Sequence, residues 1–490
     1  MDDERYRRLV LLHNNDLHGD FLPEIEEGRS VGGVPRLSGY VQKVRSEEPS
    51  TIYCIAGDML QGSLIDTEYQ GLSTIELMNM LGPDVATLGN HEMDYGLAHL
   101  LFLERCARFP IISANMYITQ PVTRLFKAHT FLRRNGMRIM FIGLITSEAL
   151  SPLKSDPIIS TMIDIYEAAR EVGRICNAYR QTDVDLTVLL THIGYEEDKK
   201  LAAMLDPDWG VDIIVGGHSH TYIDTPAIVN DILIVQAGKG TDQIGRFDLV
   251  VDTDTNTVHS WEWSLIPIDD ETSPIDEAMT NMVDAYKEQT DKKYGRLLLR
   301  LPHVFTHPSR YQETELGNLF ADAFQDCLGV DIVMYGSGSI RTDDMGPVVT
   351  YGSLIETVPY HAKMHMVTVT GAQLKAMWHY ILREETFEGL HTEFFQVSKN
   401  LALTWSRSKQ EFERFDFKGA PVDDAKTYTV AVQTFHFDNF DTSFGMPLAD
   451  VLANRADVTV ATDEQDVLTE FFTDNKPEMA GVDGRLTVLA

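Results

Sequence analysis

Five apolar runs in the first half of this 490-residue chain each stop on a side chain able to bind a metal. Leu9–Leu12 runs on towards Asp16 and His18. Thr51–Ala56 ends on Gly57-Asp58, and Val85–Leu88 on Gly89-Asn90-His91-Glu92-Met93-Asp94. Leu186–Leu190 gives Thr191-His192, and Ile213–Val215 gives Gly216-Gly217-His218-Ser219-His220. Continuous apolar runs of this length read as strands buried on both faces. In α/β sheets the strand ends converge, because the sheet is rigid and the loops reach a common point. One histidine after a strand is an ordinary structural residue. Five such ends predict an α/β domain with a metal centre at the strand tips.

Asp16 and His18 are two apart, so a turn lets both reach one point. Asn90 is expected to bind through its side-chain oxygen. With Asp58, His192, His218 and His220, the set holds two carboxylates, one amide and four imidazoles. That exceeds the needs of one ion and suits two divalent ions, with Asp58 as the bridge. Nitrogen and oxygen donors without thiolate favour Zn, Mn, Fe or Co. His91 is then the catalytic group and Asp94 the residue that orients it. Two divalent ions against two carboxylates leave the site positive in a chain of formal charge −33. An anionic substrate is attracted there and repelled elsewhere. Two ions roughly 3.5–4 Å apart activate a bridging water and clamp the oxygens of a displacement at phosphorus. A small phosphate ester is the expected partner.

The length suits two domains. Lys+Arg 41 against Asp+Glu 74 argues against nucleic acid or an anionic membrane as a partner. Cys54, Cys106, Cys176 and Cys327 lack CxxC spacing and read as reduced thiols. The first residues contain no apolar leader, so a cytoplasmic location is expected. Helical spacing covers Ser73–Leu81, Ser160–Gln181 with Ile163 on its apolar face, and Pro274–Tyr294, which is read as the link between domains. A hairpin is expected to turn at Asp252–Asn256. Beyond Leu298 the pattern becomes helix Glu315–Leu328, strand Ile332–Tyr335, strand Met364–Thr370, helix Ala372–Arg383 and strand Thr427–Gln433. The glycine-rich loop Gly336–Arg341 lacks the Lys-Ser/Thr of a P-loop, which argues against triphosphate binding of that kind.

The order Asp16-x-His18, Gly57-Asp58, Gly89-Asn90-His91-Glu92, His192, Gly217-His218-x-His220 resembles the calcineurin-like metallophosphoesterases. The whole length is similar to their 5′-nucleotidase branch. The resemblance implies a four-layer αββα sandwich over 1–270, an interdomain helix over 271–297 and an α+β substrate-binding domain over 298–490. It implies one metal site of Asp16, His18, Asp58 and His220, and a second of Asp58, Asn90, His192 and His218. His91 and Asp94 match the family's catalytic pair. The family commonly carries Gln or Asn where this chain has His220.

In the second half, Glu313–Leu319 resembles the family's helix opening. Arg310 and Arg341 fall on its substrate-binding arginines. Gly336-Ser-Gly-Ser-Ile-Arg341 stands where the family reads Asn-Gly-Gly-Gly-Ile-Arg. Tyr360 falls on the first stacking phenylalanine, and Phe437 or Phe440 stands in for the second. The activity implied is release of phosphate from nucleoside 5′-monophosphates or related small esters. The alternative enzymes are a 2′,3′-cyclic-nucleotide phosphodiesterase and a nucleotide-sugar pyrophosphohydrolase. A non-catalytic nucleotide binder would have no use for His91 and Asp94.

Overall fold

The structure is a computed structural model describing residues 5–26, 28–119, 122–146, 159–162, 164–387, 392–474 and 481–489. The chain divides into two units, Met1–Thr290 and Asp291–Ala490.

The first unit holds two six-stranded sheets. Edge to edge, one runs Thr257–Pro267, Gln243–Asp252, Tyr6–Asn14, Thr51–Ala56, Val85–Thr87 and Ile111–Ile112. The other runs Ala227–Val229, Ile232–Val235, Ile213–Val215, Leu186–His192, Met137–Ile145 and His129–Arg134. Strand residues alternate faces, and here both faces are covered. Leu9, Leu11, Ile52 and Cys54 pack against Phe141, Val188, Leu190 and Ile213 of the opposite sheet. Their neighbours Val10, Leu12, Tyr53 and Ile55 point the other way, onto Leu37, Val41, Leu77 and Leu100 of helices. On the far face of the second sheet, Ile142, Leu189, Ile214 and Ile234 meet Val172, Ile175 and Leu201, also from helices. The layers are helix, sheet, sheet, helix. Double burial is why the strands read as unbroken apolar runs.

The helix expected over Ser160–Gln181 is shorter, Ile165–Ala178. Asp164 begins it by accepting a hydrogen bond from the Glu167 N–H. Ile159–Met162 instead forms a strand, paired antiparallel with Met116–Thr119. Helical spacing extended through this strand because nothing apolar or polar marked the change; only the cap does. Ile163 lies outside the described residues. The hairpin extends further than its turn suggested, Gln243–Asp252 against Thr257–Pro267.

Helix Glu277–Tyr294 packs onto the first unit along most of its length. Met279 and Val283 join the core of the first sheet's helical face. Further along, the Tyr286 hydroxyl donates to Glu76, and the Tyr69 hydroxyl donates to Gln289 Oε1 at 2.6 Å.

The second unit is built on a five-stranded sheet, ordered Phe395–Val397, Ile332–Gly336, Thr427–Gln433, Met364–Thr370 and Val458–Ala461. Helix Glu315–Leu328 covers one face through Leu316, Phe320 and Phe324. Helix Gly371–Ile381 covers the other through Leu374, Met377 and Trp378. Each helix starts on a threonine, Thr314 or Thr370, whose side chain caps the first turn. The four cysteines are free thiols. No helix among the described residues is long and apolar enough to cross a membrane.

Candidate active site and metal centre

All seven expected ligands lie in the first unit, and five of them share an uncommon backbone. Asp16, His18, Asp58, His218 and His220 have φ of 52°, 50°, 53°, 79° and 52°. Left-handed backbone is uncommon for residues with a Cβ, and such residues gather at functional sites. Here it turns each strand end sharply, so the side chains point back over the sheet tips. The loops brace one another. Asp16 N donates to Gly57 O, and His18 N to Asp58 O, both at 3.0 Å. The Asp16 carboxylate accepts from His218 N at 2.9 Å, and the Asp58 carboxylate from His91 N at 2.9 Å. Gly89 is required by this crowding: a Cβ there would lie 2.1 Å from Asp58 Oδ1.

The ligand atoms converge. Asp16, Asp58 and His192 have donor atoms within 4.8 Å of one another, as do Asp16, His18 and His220, and also His18, Asp58 and His91. Asn90 Oδ1 lies 2.8 Å from His218 Nδ1. His192 Nδ1 is 2.8 Å from the Ala56 carbonyl, which assigns the proton to Nδ1 and leaves Nε2 with a bare lone pair. That Nε2 is buried, 3.1 Å from Asp58 Oδ2, yet makes no aligned hydrogen bond. Nitrogen and carboxylate therefore face a common point rather than each other. Asp16 and Asp58 are 0% and 2% exposed, and their close charged neighbours are histidines rather than lysine or arginine. Two buried carboxylates thus demand positive charge at this position. The donor set fits divalent cations. His192 is buried and the His220 side chain is 41% exposed, so the centre opens on the His220 side.

His91 sits on the 3-10 turn His91–Met93, with Nδ1 2.7 Å from Asp94 Oδ2. Burial would lower this imidazole, but the Asp94 hydrogen bond and Asp58 raise it to about 9. Glu92 and Gln236 carry further work that sequence reasoning did not assign. The buried Glu92 carboxylate accepts from Asp58 N at 3.0 Å, Met59 N at 2.7 Å, Leu60 N at 3.3 Å, and Gly89 N. It ties the Asp58 turn to the Asn90 turn. Its place inside the Asn-His-Glu string was the available signal. Gln236 Nε2 donates to Gly217 O at 3.0 Å, and its Oε1 accepts from Ser219 Oγ at 3.0 Å and Thr221 N at 3.2 Å. It holds the His218–His220 loop, and no sequence pattern singled it out.

The five remaining candidates lie in the second unit and are distributed less tightly. The Arg310 guanidinium rests against Gly338, where a Cβ would meet Nη2. Arg341 is exposed, at the end of the same loop, with its N–H donating to Thr357 O at 2.8 Å. Tyr360 is half-buried. Phe437 stacks on His365, centroids 4.3 Å apart. Phe440 is 1% exposed and packs on Phe444, which makes it a core residue with no face to offer a ligand.

Residues 9–222 match the family model of the calcineurin-like phosphoesterases, and residues 297–447 that of the 5′-nucleotidase C-terminal domain. The sandwich and its strand-end donors thus define a metal-dependent phosphoesterase of the calcineurin-like class. A 5′-nucleotidase of Mus musculus is 28% identical over 439 residues, 79% of this chain and 74% of that protein. The trifunctional nucleotide phosphoesterase protein YfkN of Bacillus subtilis is 28% identical over 418 residues, 75% of this chain but 27% of that longer protein. The crystal structure of a 5′-nucleotidase precursor from Thermus thermophilus superposes with a TM-score of 0.80 at 26% identity, covering 99% of both chains. Both domain models thus match in order, and the chain shares the two-domain arrangement of the 5′-nucleotidases.

Proposed function

We propose that the chain releases phosphate from nucleoside 5′-monophosphates or related small phosphate esters, using two divalent cations. The observation that carries this reading is the bare, buried His192 Nε2 facing Asp58 and Asp16 beside the His91–Asp94 pair. Asp16, His18, Asp58 and His220 would hold one cation, and Asp58, Asn90, His192 and His218 the other. When bound, the cations supply an activated water and charge compensation for the phosphoryl oxygens.

The protein's own residues do the rest. Asp94 keeps His91 in one orientation, with Nε2 free to approach the ester. The Asp94 hydrogen bond favours the charged imidazole, which suits it to stabilising phosphoryl charge and to protonating the leaving oxygen. Asp16 and Asp58 are held by backbone N–H groups, so the ligand cage is set before substrate arrives. Arg310, Arg341 and Tyr360 would bind the organic part.

The test is Asp58→Asn assayed for phosphate release across a nucleotide panel, with metal content measured alongside. Activity should fall by at least about 10³-fold, in keeping with loss of a shared ligand. Unchanged turnover would sink the proposal. The name of the B. subtilis relative favours checking a second reading, a phosphodiesterase or pyrophosphohydrolase with the same cage. Relative rates on AMP, 2′,3′-cyclic AMP and UDP-glucose separate the two.

A further inference from the structure

A buried polar relay in the second unit is not used by the chemistry above. Gln433 ends strand Thr427–Gln433 and is 2% exposed. Its Oε1 accepts from Gly336 N and from Ser339 Oγ, both at 3.1 Å, so one amide oxygen joins two points of the glycine-rich loop. Its Nε2 donates to Glu464 Oε2 at 2.7 Å, and that oxygen also accepts from the Tyr335 hydroxyl at 3.0 Å. Tyr335 and Glu464 are both 0% exposed. The amide has one workable orientation. Reversed, its NH₂ would face the Gly336 N–H, donor against donor.

The rest of the loop is held as firmly. Gln396 Nε2 donates to Ser337 Oγ at 2.9 Å, and His307 Nε2 lies 3.2 Å from Ser337 O. Glu464 Oε1 is buried without a hydrogen-bond partner. Burying a carboxyl and an amide is costly compared with filling the same volume with leucine. The arrangement therefore needs a reason beyond packing, and the loop it ends on carries Arg341 and supports Arg310 at Gly338.

We propose that Gln433, anchored on Glu464, is a positioning residue that sets the Gly336–Arg341 loop to receive the organic part of the substrate. This rests on the reading of Arg341 as a substrate contact. In Gln433→Glu, the donor to Glu464 is lost and a second carboxyl is buried beside it, which pushes the side chain away from the loop. In the swapped pair, Gln433→Glu with Glu464→Gln, the carboxylate now at position 433 still accepts from Gly336 and Ser339. The amide now at position 464 supplies the missing donor.

The experiment measures KM and kcat of the full chain on AMP and on p-nitrophenyl phosphate, which lacks ribose and base. Gln433→Glu should raise the AMP KM about tenfold, as for one lost well-placed hydrogen bond, and leave p-nitrophenyl phosphate unchanged. The swapped pair should return the AMP KM to within about twofold of wild type. Equal loss on both substrates, or no recovery in the swapped pair, overturns the proposal. Arg341→Ala is the control on the underlying reading. If it leaves the AMP KM unchanged, the loop is not a substrate contact and the proposal goes with it. If it raises the KM while Gln433→Glu does not, the relay alone is wrong. Should Gln433→Glu fail to fold, Ser339→Ala removes one bond of the relay, with a rise in AMP KM of about two- to threefold expected and no rise refuting it.

Discussion

At the scale of single residues, His91 is where chemistry and metal binding must be told apart. Its ring nitrogens lie close enough to His18 and Asp58 to count among the possible ligands, yet Nδ1 is committed to Asp94. If His91 acts on the ester, His91→Asn should lower kcat by about 10²–10⁴-fold with metal content intact. A parallel loss of metal would make it a ligand instead. Glu464 offers a second prediction, from titration. Burial pushes its carboxyl up to about 8, from an ordinary 4.5. The folded protein therefore keeps a proton that the unfolded chain releases between those values. This group's contribution to stability falls as pH rises through that window, by at most about 1.4 kcal/mol per pH unit. Glu464→Gln has no such proton. The drop in denaturation midpoint from pH 5 to pH 8 should be smaller in that variant than in wild type.

At the scale of elements, the centre is a meeting of turns rather than of strands. The strands that lead to Asp16, Asp58 and His218 take a left-handed step as they leave the sheet, and the turns are tied to one another by main-chain or carboxylate bonds. Glu92 is the principal knot, because one carboxylate collects four N–H groups from two turns. Glu92→Gln turns a donor toward some of those N–H groups and leaves them unsatisfied. Metal affinity should weaken about 10–100-fold, the usual cost of removing a residue that orients ligands. Titrating metal into the stripped protein would show it; unchanged affinity would mean the turns hold themselves.

At the scale of the whole molecule, the nine residues of the proposed metal and catalytic set all belong to Met1–Thr290. A chelator should therefore lower the melting transition of the first unit and leave that of the second where it was. Calorimetry with and without EDTA resolves this, and equal shifts of both transitions would contradict it. The charge of −33 makes a further prediction for the entire chain. Between about 0.01 and 1 M salt the screening length shrinks from about 30 to 3 Å, relieving self-repulsion. The melting temperature should rise over that range, and a flat profile would show that the acidic groups are already compensated.

The sequence alone determined the buried strands of an α/β domain, because strands buried on both faces must be apolar at every position, as in Leu9–Leu12 and Ile213–Val215; their division into two sheets came only with the family resemblance. It also carried the donor set, since the chemistry of a metal site restricts which side chains can follow those strands. Spacing alone left the boundary at Asp164 hidden, because an apolar stripe looks the same in a strand that leads into a helix. Which aromatic is core was equally invisible: Phe437 and Phe440 differ by three positions, and only packing against Phe444 separates them. The roles of Glu92, Gln236 and Gln433 were decided by the tertiary structure. Each bonds to groups far along the chain or to backbone atoms that carry no sequence signature, so their partners exist only once the strands are side by side.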